Sequence, residues 1–264
     1  MLAYLGFTEN IPEAQGAYSW QHLTFVTSLV LIMFALAIGI GLHYRKHPDK
    51  NKNVPLVWAA LLIDGFEIVK IVLNAIHSED PIDSLLMNLP LFLCSIQLIT
   101  LPLAAFAKGR LKEAALDFVM IFGLLGALTG TYGAAQNYGV YHVFYYVNVI
   151  SGITHCISGF GALYIGISGL ASMRKRNMGI SFCILGFFCI TAYVVNCLID
   201  YNYMFLMGGD GTPYDILYNL VGGHPVLYPL GVVVLFLVYI SAFYLVYFFA
   251  TQKKRAANLT EQPA

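Results

Sequence analysis

Arg45-Lys46-His47-Pro48-Asp49-Lys50-Asn51-Lys52 is a short basic stretch set between two long apolar runs. Three similar clusters follow along the chain. They are Lys108, Arg110 and Lys112; Arg174, Lys175 and Arg176; and Lys253, Lys254 and Arg255. Thirteen of the fourteen Lys and Arg residues lie in these four places, and the loops between them hold none. Short loops rich in Lys and Arg stay on the cytoplasmic side of a membrane. The alternation therefore reads as a multi-pass membrane protein of defined orientation.

Composition agrees. The chain is 59% apolar and only 11% charged, whereas a soluble domain averages about 25% charged residues. The formal net charge is zero, so nothing suggests nucleic-acid binding. The basic clusters are accounted for by topology and by anionic lipid headgroups. A spanning helix needs about 20 apolar residues, and seven runs are long enough: 22–44, 54–77, 85–107, 114–133, 143–170, 179–200 and 225–250. The expected fold is an all-α single bundle of seven transmembrane helices over residues 1–252, followed by a cytoplasmic polar tail, 253–264. The intervening loops 77–84 and 201–224 are acidic and loop 131–142 is uncharged. These face outward, which puts the N-terminus outside and the C-terminus in the cytoplasm, with the plasma membrane as the location. No cleavable signal peptide is expected, because the first apolar run lacks a basic segment before it.

All five cysteines (Cys94, Cys156, Cys183, Cys189 and Cys197) lie in apolar runs with no CxxC spacing. Neither a disulfide framework nor a metal site is expected, and no cofactor is implied. The run 225–250 has no Lys, which excludes a retinal Schiff base there. The signatures of G-protein-coupled receptors are also missing.

Ionisable groups inside a membrane are expensive and face the bundle interior. At 100° per residue Glu67, Lys70, Asn74 and His77 share one face of the second run, with Asp64 at its edge. Glu67 and Lys70 are three apart and can pair. In the fifth run Asn148, Ser151, His155 and Ser158 form one polar stripe. At about 1.5 Å per residue, Glu67, Cys94 and His155 lie roughly 14 to 18 Å below the outer ends of their runs. A thiol, an imidazole and an ion pair then share one level. Cys with His is the minimal pair for covalent acyl transfer: the imidazole takes the thiol proton and the thiolate attacks an acyl carbonyl. Pro90 should bend the third helix just before Cys94. A polar group or backbone amide near that bend would hold the oxyanion. Gly126-x3-Gly130 in the fourth run suits close helix approach.

An ordered set of motifs resembles a family. Leu89-Pro90-Leu91-Phe92-Leu93-Cys94-Ser95, the acidic Glu67, His155, Asn202-Tyr203-Met204-Phe205-Leu206 and Gly223-x-Pro225-x-x-Tyr228 look like the bacterial YwaF-like integral membrane proteins. Trp20-Gln21-His22-Leu23 fits as well. Those proteins are similar to animal transmembrane protein 164, regarded as a cysteine-dependent acyltransferase of ether phospholipids. The resemblance implies that Cys94 is the nucleophile and His155 its base. Glu67, Lys70, Asn148 and Asn202 are expected as supporting residues, and membrane lipids as partners. Phe92 stands where the family often has a His; if that His is the working base, this chain either uses His155 alone or is inactive. The alternatives are a lipid or small-molecule carrier or sensor, and a non-catalytic structural subunit. Polar groups thin out toward the inner side, where only Asp64 and Asp117 are found. That asymmetry favours a one-sided site over a through-path.

Overall fold

A computed structural model describes residues 1–8, 12–171 and 173–260. Among the described residues there are helices and no strands. The chain divides into two compact units, Met1–Ala171 and Ser172–Ala264.

The first unit contains α1 (Trp20–Tyr44), α2 (Asp49–His77), α3 (Pro81–Leu86), α4 (Gln97–Phe106), α5 (Gly109–Tyr132), α6 (Ala135–Val140) and α7 (Tyr146–Ser168). Helix α7 packs against α1, α2 and α5, and α4 packs between α2 and α5. Small residues permit this. A Cβ on Gly123 of α5 would lie 2.8 Å from the carbonyl oxygen of Ser158 in α7, and one on Gly159 would lie 2.7 Å from the Cβ of Ala127. Lipid tails are as apolar as Leu, so close backbone packing must replace the hydrophobic drive between spanning helices. At one end of this unit, Lys112 Nζ donates to Asn53 Oδ1 at 2.7 Å and to the Ala105 carbonyl at 3.3 Å. Asn53 Nδ2 donates to the same carbonyl at 2.7 Å, and the Tyr164 hydroxyl donates to Lys52 O at 2.6 Å. These bonds tie the starts of α2 and α5 to the end of α4 and to α7, and they satisfy a helix-terminal carbonyl.

The third apolar run departs from expectation. It does not form one helix over 85–107. Helix α3 stops at Leu86, residues 87–96 are turns and bends, and α4 has only ten residues. Pro90 lacks an amide donor and disfavours helical geometry at Leu89. The Asn88 side chain folds back onto Ser84 O at 2.7 Å and accepts from Asn74 of α2 at 3.1 Å. The helix is therefore broken before Cys94 rather than bent.

Among the described residues, five stretches are long and apolar enough to cross a membrane: Trp20–Tyr44, Gly109–Val140, Tyr146–Ser168, Lys175–Ile199 and Leu227–Thr251. Helix α2 has the length, at 29 residues, but Asp64, Glu67 and Lys70 interrupt its apolar composition.

The second unit contains α8 (Lys175–Ile199), a 3-10 turn (Tyr203–Phe205), α9 (Tyr214–Leu220) and α10 (Leu227–Thr260). Helix α10 continues through the polar tail as far as Thr260; residues 261–264 lie outside the described residues. Asn196 near the end of α8 pairs in both directions with the backbone of Tyr203, at 2.7 and 3.0 Å. The Tyr228 hydroxyl at the start of α10 donates to Phe205 O at 2.8 Å. Two of the sequence motifs thus meet each other and shape this loop.

Replacing Gly123 with Ala should force α5 and α7 apart and destabilise the protein by about 1–3 kcal/mol. Thermal unfolding in detergent checks this, and an unchanged midpoint would contradict the tight contact.

Candidate functional site

Cys94 sits on the irregular backbone that Pro90 creates. The chain re-enters helix just beyond it, with Ile96 N–H donating to Phe92 O at 3.0 Å, Gln97 N–H to Cys94 O at 3.3 Å and Leu98 N–H to Ser95 O at 3.0 Å. Non-helical backbone at membrane depth is tolerated where it is buried in protein or lines a cavity. Cys94 does line one, together with Glu67 and Lys70 of α2 and His155 and Ser158 of α7. Ser95 adds a hydroxyl, and Ile63 and Leu98 supply apolar wall. The volume is about 30 Å³, room for about two waters.

Helix α5 backs Cys94 and His155. A Cβ on Gly126 would lie 3.5 Å from the Cβ of Cys94, and one on Gly130 would collide with Nε2 and Cδ2 of His155. Residues four apart lie on one helix face. Cys94 and the Nε2 edge of the His155 imidazole therefore both lie over the same strip of α5. Gly126-x3-Gly130 does more than pack helices: its bare backbone houses both side chains.

The ring orientation is fixed from behind. His155 Nδ1 is 2.7 Å from the Ser151 carbonyl oxygen, one turn earlier on α7, and 3.3 Å from Ser151 Oγ. A carbonyl only accepts, so Nδ1 carries the proton and Nε2 keeps its lone pair. That lone pair is on the edge facing Gly130. The polar side chains acting on the Cys94 thiol are His155, Ser95 and Lys70, and Cys94 Sγ lies 4.0 Å from Ser95 Oγ. Glu67 Oε1 and Lys70 Nζ pair at 2.6 Å. One turn before Glu67, the Asp64 Oδ1 is buried without a hydrogen-bond partner.

Four of the six residues singled out in the sequence converge here: Cys94, His155, Glu67 and Lys70. Asn148 does not. It lies two turns from His155, and its Nδ2 donates to the carbonyls of Tyr141 and His142 at 3.2 and 3.1 Å. It anchors the loop entering α7, while the orienting contact on His155 comes from the Ser151 backbone. Asn202 belongs to the second unit. Its Nδ2 donates to Gly208 O and Asp210 Oδ2, and its Oδ1 accepts from Met207 N–H. It organises a loop. Gly130 and Ser95 went unnamed as site residues in the sequence; the Gly-x3-Gly spacing was the available signal for the first, and nothing marked the second. Among the described residues no group of three or more His, Cys, Asp or Glu is placed to hold a metal ion.

The other cysteines differ in setting. Cys156 is in a core cluster with Val30, Met33 and Ala127. Cys189 Sγ contacts Met204 Sδ at 3.7 Å, and Cys183 and Cys197 are exposed on α8.

The family model described as the TMEM164 family matches residues 17–247. The chain belongs to the TMEM164 family. The matched span runs from just before α1 into α10 and includes Glu67, Lys70, Cys94, Gly130 and His155. A search of the curated proteins finds no match, and a search of the solved structures finds none.

Gly130→Ala should displace the imidazole while leaving the helices assembled. Alkylation of Cys94 by iodoacetamide should then slow by about tenfold or more, measured by mass spectrometry against Cys183 in the same sample. An unchanged Cys94 rate would mean that the ring does not act on the thiol.

Proposed function

We propose that this TMEM164-family member is a membrane lipid acyltransferase that works through a cysteine thioester. The observation that supports this reading is the convergence of Cys94 and His155 on one small cavity, with the imidazole Nδ1 held by the Ser151 carbonyl. Cys94 Sγ gives its proton to His155 Nε2 and adds to the acyl carbonyl of a phospholipid ester. Collapse breaks the ester C–O bond, and His155 returns the proton to the departing lysolipid oxygen. An acceptor lysolipid hydroxyl then attacks the thioester, with His155 taking its proton and passing it back to the leaving thiol. No redox partner or cofactor enters the balance. The reacting ester group enters sideways between helices, and the acyl chains stay in the surrounding lipid.

Seven crossings follow if α2 spans with its charges paired, and if α3, the broken segment and α4 together make one further crossing. The four basic clusters then fall on the cytoplasmic side, the N-terminus outside and the C-terminus inside. The site lies in the outer half of a bacterial plasma membrane, as suits the YwaF-like branch.

Cys94→Ala should abolish acyl transfer between labelled phospholipid and lysolipid in nanodiscs without loss of folded protein. His155→Ala should lower the rate by about 10²–10⁴-fold. Full turnover in Cys94→Ala, followed by chromatography of the lipids, would end this reading.

A further inference from the structure

Lys70 is the fourteenth cation of the chain, outside the four basic clusters. It stands in α2 and lines the same cavity as Cys94 and His155. It acts electrostatically on both the thiol and the imidazole. An ammonium has three N–H donors. Glu67 takes one at 2.6 Å, and among the described residues Lys70 makes no other ion pair or hydrogen bond. The side chain is 17% exposed, so the remaining donors are not sealed in protein.

We infer that Lys70 is a catalytic residue whose ammonium holds the oxyanion formed when the Cys94 thiolate adds to an acyl ester carbonyl. The inference rests on the acyl-transfer reading and adds the group that reading lacks. As the S–C bond forms, the carbonyl π pair moves onto oxygen. Lys70 donates to that oxygen and keeps its own protons throughout. When the ester C–O bond breaks, the pair returns to re-form the carbonyl. The amides of Ile96, Gln97 and Leu98 already serve the carbonyls of Phe92, Cys94 and Ser95, so those three do not take the oxyanion.

Position points to the anion that this ammonium binds. Lys70 lines the same cavity as the Cys94 thiol, where a carbonyl under attack develops its negative charge. Glu67 is the positioning residue. Its carboxylate fixes Nζ and leaves the resting pair neutral. The site thus has little attraction for resting anions and gains an interaction only as the oxyanion forms. Such an interaction is stronger in the transition state than in the ground state, which is what accelerates the chemical step.

The test separates attack on a carbonyl from reaction of the same thiolate without an oxyanion. A lone buried carboxylate is strongly destabilising, so the principal variant is the double replacement Glu67→Gln, Lys70→Met, with Lys70→Arg beside it. In nanodiscs of phospholipid with a labelled acyl chain, single-turnover acylation of Cys94 is followed as a hydroxylamine-sensitive adduct. Iodoacetamide alkylation of Cys94 is followed in parallel. The double variant should acylate about 10²–10³-fold more slowly, while alkylation, which forms no oxyanion, should change by less than about fivefold. Lys70→Arg should recover part of the acylation rate. Acylation of the double variant within about threefold of wild type, or an equal fall in alkylation, overturns the role of Lys70 and leaves the parent reading standing. Absence of any thioester on wild-type Cys94 overturns both.

Discussion

The close approach of α5 and α7 is the constraint on which the rest of the first unit depends. Gly123 leaves no room for even a methyl group against the Ser158 carbonyl. Between spanning helices, van der Waals contact and a few hydrogen bonds must do what water exclusion does in a soluble core. Once the two backbones are this close, the same face of α5 passes Gly126 under Cys94 and Gly130 under His155. Helix packing and site construction are therefore one event. A methyl group at Gly130 would displace the imidazole before it moved a helix.

The break at residues 87–96 is the second structural element of the site. A continuous helix would hide every backbone polar group and fix Cys94 in a regular register. Pro90 prevents that, and the Asn74–Asn88–Ser84 bonds hold the interrupted segment in place. Irregular backbone inside a membrane is restricted to protein-lined interiors. The position of the nucleophile and the existence of a cavity beside it are thus consequences of the same interruption.

Charge is handled with comparable economy. Glu67 and Lys70 neutralise one another at 2.6 Å, which reduces the penalty of burying ionised groups. Asp64, one turn away, has a buried oxygen with no such partner. His155 receives no carboxylate; the Ser151 carbonyl sets its tautomer instead. A neutral orienting group adds no further charge to an already charged cavity.

The sequence by itself determined that the chain is helical and membrane-embedded, because hydropathy and Lys/Arg placement depend on composition along the chain and not on packing. It also determined the candidates Cys94, His155, Glu67 and Lys70, since polar residues in apolar runs stand out one by one. The broken third run was only half legible: Pro90 signalled a disturbance, but whether it bends or interrupts depends on what Asn74 and Asn88 bond to. Asn148 was misplaced beside His155 because a stripe on a helix gives direction and not distance, and two turns separate the residues. Gly126 and Gly130 were legible as a packing motif and not as the backing of Cys94 and His155. Only the tertiary structure decided that, because rotation of one helix against another is set by the side chains at their contact, and no periodicity in a single helix encodes what its neighbour presents.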